Sequence, residues 1–106
     1  MHSLPFGARL TDSLVDTLRD AATQCVPKNA DFVPCLSWCT QLRDGERFEH
    51  WVINAFSRSY MRDQDMFTVD GVTFCIGPDD QVRAAGGILD WHRTIGVVQL
   101  DTANET

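Results

Sequence analysis

The sequence predicts a small α+β domain, in which a mainly antiparallel β-sheet packs with one longer N-terminal helix and one short helix. Three observations support this fold class. Apolar residues repeat at helical spacing over residues 11–25, apolar and polar residues alternate over residues 32–42 and 47–58, and short apolar runs separated by Gly and Pro follow. The 106 residues, 43% of them hydrophobic and 23% charged, suit a single domain over residues 1–106 with one contiguous core.

The N-terminal region is expected to contain an edge strand and the longer helix. Residues 1–10 form an entry segment, with strand pairing around Ala8 to Leu10. The apolar stripe of the helix consists of Leu14, Val15, Leu18, Ala21, Ala22 and Cys25. Thr11 is a suitable N-cap, because its hydroxyl can accept a hydrogen bond from the first helical turn, and Pro27 ends the helix.

Two long strands joined by a tight turn are predicted next. Leu36, Trp38, Thr40 and Leu42 share one face of the first strand, and the odd-numbered residues share the other. Asp44-Gly45 is a hairpin signal. Residues 47–58 carry apolar side chains on both faces, which is typical of a central strand. Residues 59–65 then form a polar connection.

The second half of the chain predicts short elements. Two strands, residues 66–69 and 72–76, are hinged at Asp70-Gly71. Pro78 opens the short helix, which extends to about Ala85 and ends at Gly86-Gly87. Residues 88–91 and 97–100 are the closing strands of a sheet of about six, and the polar tail 101–106 is expected to fray.

A series of short motifs marks this second half. Asp70-Gly71-Val72 leads a strand into Gly77-Pro78, a short helix ends at Gly87, and Leu89-Asp90-Trp91 follows. This order resembles the HesB/IscA-like family of A-type iron–sulfur carrier proteins. The segment Leu10-Thr11-Asp12-Ser13 before the helix is similar to the family's opening. The resemblance covers nearly the full chain and implies a HesB-like fold.

The sequence departs from that family at the ligand positions. The family holds iron or a cluster through one cysteine in a Gly-Cys-x-Gly loop between the first two long strands, and through a Cys-x-Cys pair near the C-terminus. Here the loop is Leu42-Arg43-Asp44-Gly45-Glu46, and residues 100–106 contain no cysteine. Because iron–sulfur clusters require thiolate or, occasionally, imidazole ligands, we expect a HesB-like scaffold that has lost its cluster. It would hold no cofactor and act as a non-catalytic binding or regulatory protein.

The charge of the chain narrows the class of partner. The formal net charge is −6, and the nine Lys and Arg residues are scattered singly, so nucleic acid and anionic membranes are disfavoured. A protein partner is expected. One alternative is a small acidic immunity protein or antitoxin that binds a basic partner protein. Edge strands and the family resemblance are also compatible with a homodimer. The sequence lacks a transmembrane run and a secretory signal pattern, which predicts the cytoplasm and reduced thiols.

Four side chains are candidates for a rearranged metal site: Cys35, Cys39, Cys75 and His50. Cys35 and Cys39 would lie about 13 Å apart along a strand, and no Cys-x-x-Cys pair of the structural zinc type occurs. Core packing is therefore the favoured role of the cysteines. The alternative is an iron or iron–sulfur carrier that uses them. No local signature singles out a cysteine nucleophile to act with His50 or His92, so no enzymatic activity is expected.

Four other residues are candidates for partner binding: Trp38, Trp51, Asp63 and Asp65. Trp38 and Trp51 flank the predicted hairpin, where an exposed tryptophan would be an interface anchor. Packing in the core is the alternative for both. Asp63 and Asp65 lie in the polar connection, and they lack the third ligand and the glycine of a Ca²⁺ loop.

Overall fold

The computed structural model describes residues 1–25 and 31–101, with Cys25 and Asp101 described by their backbone alone. In chain order the elements are β1 (His2–Ser3), β2 (Arg9–Leu10), α1 (Asp12–Cys25), β3 (Phe32–Arg43), β4 (Glu46–Ser57), β5 (Met66–Val69), β6 (Val72–Ile76), α2 (Pro78–Ala84), β7 (Gly87–His92) and β8 (Gly96–Asp101). Two single turns of 3-10 helix, Arg58–Tyr60 and Asp63–Asp65, fill the predicted polar connection. Within the described residues, neither helix combines the length and the apolar character that crossing a bilayer requires.

The strands form one sheet in the order β1-β2-β7-β8-β4-β3-β6-β5. Among the described residues, five strand pairings are antiparallel and two, β2 with β7 and β3 with β6, are parallel. The α+β class and the mainly antiparallel sheet are thus confirmed. The expected number of strands was too low. β1 was missed, because two residues give no periodicity, and a parallel pairing between distant segments leaves no local signal.

Helix α1 forms for the reasons that the sequence suggests. The Thr11 hydroxyl accepts a hydrogen bond from the Leu14 amide at 3.3 Å, which caps the N-terminus. Leu14, Val15 and Leu18 are fully buried against the sheet. The predicted stop at Pro27 lies outside the described residues.

Strand alternation divides the sheet into two faces. Leu36, Trp51, Phe74 and Leu89 join the apolar stripe of α1 in the main core. A smaller cluster on the opposite face contains Val33, Cys35 and Cys75, with Met61 and Met66 packed against it. β4 is central, between β8 and β3, as its apolar residues on both faces indicated.

The β3–β4 hairpin extends beyond the rest of the sheet. The two strands pair along their whole length, from Phe32 with Ser57 to Arg43 with Glu46. Asp44 and Gly45 have φ angles of 53° and 79°, as the predicted two-residue hairpin turn requires. In contrast, β4 is registered with β8 only at Trp51 and Val97. Residues 40–49 are therefore exposed on an arm that projects from the sheet.

Candidate binding surfaces

Trp38 and Trp51 lie opposite each other in the β3–β4 ladder. Their ring centroids are 5.7 Å apart and the ring planes meet at 78°, an edge-to-face contact. Trp51 is 3% exposed and belongs to the main core, whereas Trp38 is half-buried at its margin. Of the two predicted anchors, only Trp38 keeps surface available for a partner.

The Trp51 side chain is held by a glutamine that the sequence did not single out. The indole Nε1 donates to Oε1 of Gln99 at 2.9 Å, and Nε2 of Gln99 donates to the carbonyl oxygen of Arg83 at 3.0 Å. One amide thus links β4, β8 and the end of α2. A Cβ at Gly87 would lie 2.6 Å from Nε2 of Gln99, so the missing side chain of Gly87 leaves space for this amide.

Helix α2 holds Trp38 from the other side. The Arg83 guanidinium lies 4.6 Å from the centroid of the Trp38 ring, a cation–π contact. The Asp80 carboxylate accepts a hydrogen bond from the Trp38 backbone N–H. Burial raises the pKa of Asp80, and that hydrogen bond opposes the rise. The registered pairing of β3 with β6 ends at Leu36. Two residues further along β3, the Asp80 carboxylate provides the hydrogen-bond acceptor for the backbone N–H of Trp38.

A cavity of about 590 Å³ lies between β4, β8 and the turn after α2. We call it the Trp38 cleft. It occurs where β4 and β8 part beyond their one registered pair, Trp51 with Val97. Its lining includes Trp38, Glu49, His50, Gly86, Ile95 and Gln99. Its polar side chains include the Glu49 carboxylate, the His50 imidazole and the Gln99 amide.

The four metal candidates lie as two pairs. Cys35 is registered with Cys75 across the parallel β3–β6 pair, and Cys39 is registered with His50 across the antiparallel β3–β4 pair. The pairs are four residues apart on β3, about 13 Å along the strand. Among the described residues, no group of three or more His, Cys, Asp or Glu side chains could hold a metal ion. The structure therefore does not bring the four candidates together.

The first pair is buried and in mutual contact. Cys35 and Cys75 are 3% and 0% exposed, in agreement with the predicted core packing, whereas Cys39 is half-buried. The hydrogen bond with Cys75 lowers the pKa of Cys35, and the same contact, together with burial, raises the pKa of Cys75. Cys35 is therefore the thiol of the pair that ionises first.

The two aspartates of the connection have different surroundings. Asp65 is 4% exposed and accepts hydrogen bonds from Nε of Arg62 at 3.1 Å and from Nε2 of Gln81 at 2.8 Å. Its predicted place on a binding surface is corrected by this burial, because it ties the connection to α2. Asp63 is exposed. An aspartate in a polar segment gives no sequence signal that distant groups will enclose it.

A comparison of the chain with family models, curated proteins and solved structures gave no match.

Proposed function

We propose that this protein is a non-catalytic binding protein that takes an extended segment of a partner protein into the Trp38 cleft. The observation that carries the proposal is the parting of β4 and β8 beyond Trp51, which leaves the cleft beside the edge of β4. A strand edge next to an apolar cavity is the arrangement used in β-strand addition. Backbone hydrogen bonds give affinity there, and pockets for alternate side chains give specificity.

The side chains around the cleft suggest the chemistry of such a segment. Trp38 and Ile95 offer apolar surface, and Trp38 is already held from behind by Arg83. Glu49 carries an exposed carboxylate on the wall formed by β4, where it pairs with the exposed Arg47 guanidinium at 2.8 Å, so a basic side chain of the partner would share or replace this ion pair. An apolar side chain against Trp38 and a basic side chain near Glu49 therefore fit the cleft. A basic segment also suits a chain of net charge −6.

The proposal includes a HesB-like scaffold that has lost its cluster ligands. The support for this scaffold is the position of the motif residues in the fold. Asp70 and Gly71 have φ angles of 51° and 80° in the β5–β6 turn, Gly77 caps α2 and Pro78 begins it, so these motif residues fall at element ends. Metal analysis and an absorption spectrum of protein purified without oxygen test this part. Stoichiometric iron with a cluster-like spectrum would contradict it.

Selection of peptides from a random library displayed on phage tests the binding proposal. The selected peptides are titrated against the wild-type protein and against Trp38→Ala. We expect loss of at least about tenfold in affinity for this variant, since a central aromatic anchor contributes more than 1 kcal/mol. Tyr60→Ala is the matched control, because Tyr60 is 88% exposed and lies away from the cleft.

Backbone methylation distinguishes strand addition from side-chain binding. Peptides in which alternate amide nitrogens are methylated should lose affinity in one register and keep it in the other, because only alternate residues donate to the neighbouring strand. Peptides that bind Trp38→Ala as tightly as wild type would refute the assignment to the cleft. Equal affinity of both methylated series would refute strand addition.

A further inference from the structure

Four sulfur-containing side chains gather on the face of the sheet opposite α1. Cys35, Cys75 and Met66 form one row across three neighbouring strands, because Cys75 of β6 is registered with Cys35 of β3 and with Met66 of β5. Registered side chains on neighbouring strands share a face, and the strands lie about 4.8 Å apart. Met61, from the connection between the 3-10 turns, packs on the same cluster.

The row has an inner and an outer part. The two thiols are buried and in contact with each other, and Val33 is the other buried member of the cluster. The two thioethers are half-buried and pack against it, so they separate the thiols from solvent. An ion entering here would pass the methionines first and would meet the two thiols, with the Ser37 hydroxyl 3.7 Å from Sγ of Cys35 as the neighbouring oxygen.

The donor set selects a class of metal. Thiolate and thioether sulfur are soft ligands and favour Cu(I), whereas Zn²⁺ and Fe²⁺ sites generally use more thiolates, imidazoles or carboxylates. Cys39 and His50 are registered with each other about 13 Å further along β3. The Asp65 and Asp80 carboxylates lie close enough to oppose the fall in the pKa of Cys35, but among the described residues no group of three or more His, Cys, Asp or Glu side chains could hold a metal ion. We propose that Cys35, Cys75 and Met66, with Met61 as a fourth sulfur, form a binding site for Cu(I).

Binding at this site is an exchange of protons for metal. Each thiol gives up its proton as its sulfur bonds to the cation, so one Cu(I) bound by both cysteines releases two protons, and no oxidation state changes. Because protons compete with the metal, the affinity should rise with pH. The methionine sulfurs carry no proton and contribute without this dependence.

Competition with bicinchoninate tests the proposal. Fully reduced protein, with its four thiols per chain counted beforehand, is titrated into the coloured Cu(I)–bicinchoninate complex without oxygen. We expect transfer of one Cu(I) per chain to wild type and a near-ultraviolet thiolate-to-copper absorption. Cys35→Ser and Cys75→Ser should bind at least about 100-fold more weakly, and Met66→Leu about tenfold more weakly.

Cys39→Ser is the matched control, since Cys39 lies on the same strand and face but outside the row. It should bind Cu(I) like wild type. Far-UV circular dichroism checks the fold of each variant, and Met66→Leu keeps the test valid if a buried serine unfolds the chain, because it conserves the apolar volume. Absence of transfer to the wild-type protein would overturn the proposal. An equal loss of Cu(I) affinity in Cys39→Ser and Cys35→Ser would overturn it as well, and so would an unchanged Cu(I) affinity in Met66→Leu.

Discussion

Replacement of Gln99 by alanine tests whether one side-chain amide holds β4, β8 and α2 together. The change removes the oxygen that accepts the hydrogen bond of the Trp51 indole N–H. Trp51 is only 3% exposed. A buried donor left without a partner costs about 1–3 kcal/mol. Gln99 itself is exposed, so little apolar burial is lost. Because the cleft beside it admits water, we expect the lower part of this range, about 1–2 kcal/mol.

Urea unfolding followed by tryptophan fluorescence measures this loss. With a slope of about 1.5 kcal/mol per M, typical of a small domain, the midpoint should fall by about 1 M. Gln41→Ala is the control, since Gln41 is an exposed glutamine on the arm, and its effect should stay within about 0.5 kcal/mol.

A double-mutant cycle assigns the loss to the hydrogen bond. Trp51→Phe removes the donor while keeping an aromatic ring, so Gln99→Ala should cost about 1 kcal/mol less in that background than in wild type. If Gln99→Ala lowers the free energy of unfolding equally in both backgrounds, the hydrogen bond contributes nothing and the reasoning fails.

Three further predictions concern stability. Gly87→Ala brings a Cβ within 2.6 Å of Nε2 of Gln99 and should destabilise the fold by about 1 kcal/mol, an effect that should vanish in the Gln99→Ala background when urea midpoints are compared. Asp65→Ala leaves the Gln81 amide without one acceptor and should cost about 2 kcal/mol by urea unfolding, whereas Asp63→Ala should change stability by less than about 0.5 kcal/mol. Burial raises the pKa of Asp80 above 3.8, its ordinary value. The folded state therefore binds more protons than the unfolded state at pH values from 3.8 up to the raised pKa of Asp80. The contribution of Asp80 to the free energy of unfolding falls as pH rises through this range. Asp80→Asn lacks this dependence, so the urea midpoint of this variant should rise relative to that of wild type as pH increases above 3.8. A difference in midpoint that does not change with pH would refute this prediction.

The local elements could be predicted because each carries its own signal. The stripe from Leu14 to Leu18 gives α1, and Asp44-Gly45 supplies the positive φ angles of the hairpin turn. Pro78 begins α2 as expected. These signals depend on residues a few positions apart, which any single sequence displays.

The site could be predicted only in part, because it depends on which distant strands meet. The sequence identified Cys35, Cys39, Cys75 and His50 as candidates, but it did not show that the neighbour of Cys35 is Cys75, 40 residues away and one strand across. Likewise, Trp38 was identified as a candidate, but its partner Arg83 was not, since a single arginine on a short helix has no distinguishing pattern. Strand order in the sheet is the missing information in both cases.

The two proposed binding sites share β3 but occupy its opposite faces, which leads to a last prediction. Cys35 and Trp38 are three residues apart, about 10 Å along the strand, and sites at this separation usually act independently. Asp80 acts on both, since its carboxylate accepts the Trp38 backbone N–H and its charge opposes the fall in the pKa of Cys35. Among the described residues, helix α2 contacts the surroundings of both sites and could couple them. Asp80 and Arg83 hold Trp38, while Gln81 binds Asp65 and the carbonyl oxygen of Ile76, next to Cys75.

We therefore expect Cu(I) to change the affinity of a cleft-binding peptide by less than about twofold, or 0.5 kcal/mol. Titration of one peptide against metal-free and Cu(I)-loaded protein measures this. A larger change that disappears in Asp65→Ala would instead make α2 a mechanical connection between the sites. Linkage would then require the peptide to change the affinity for Cu(I) by the same factor.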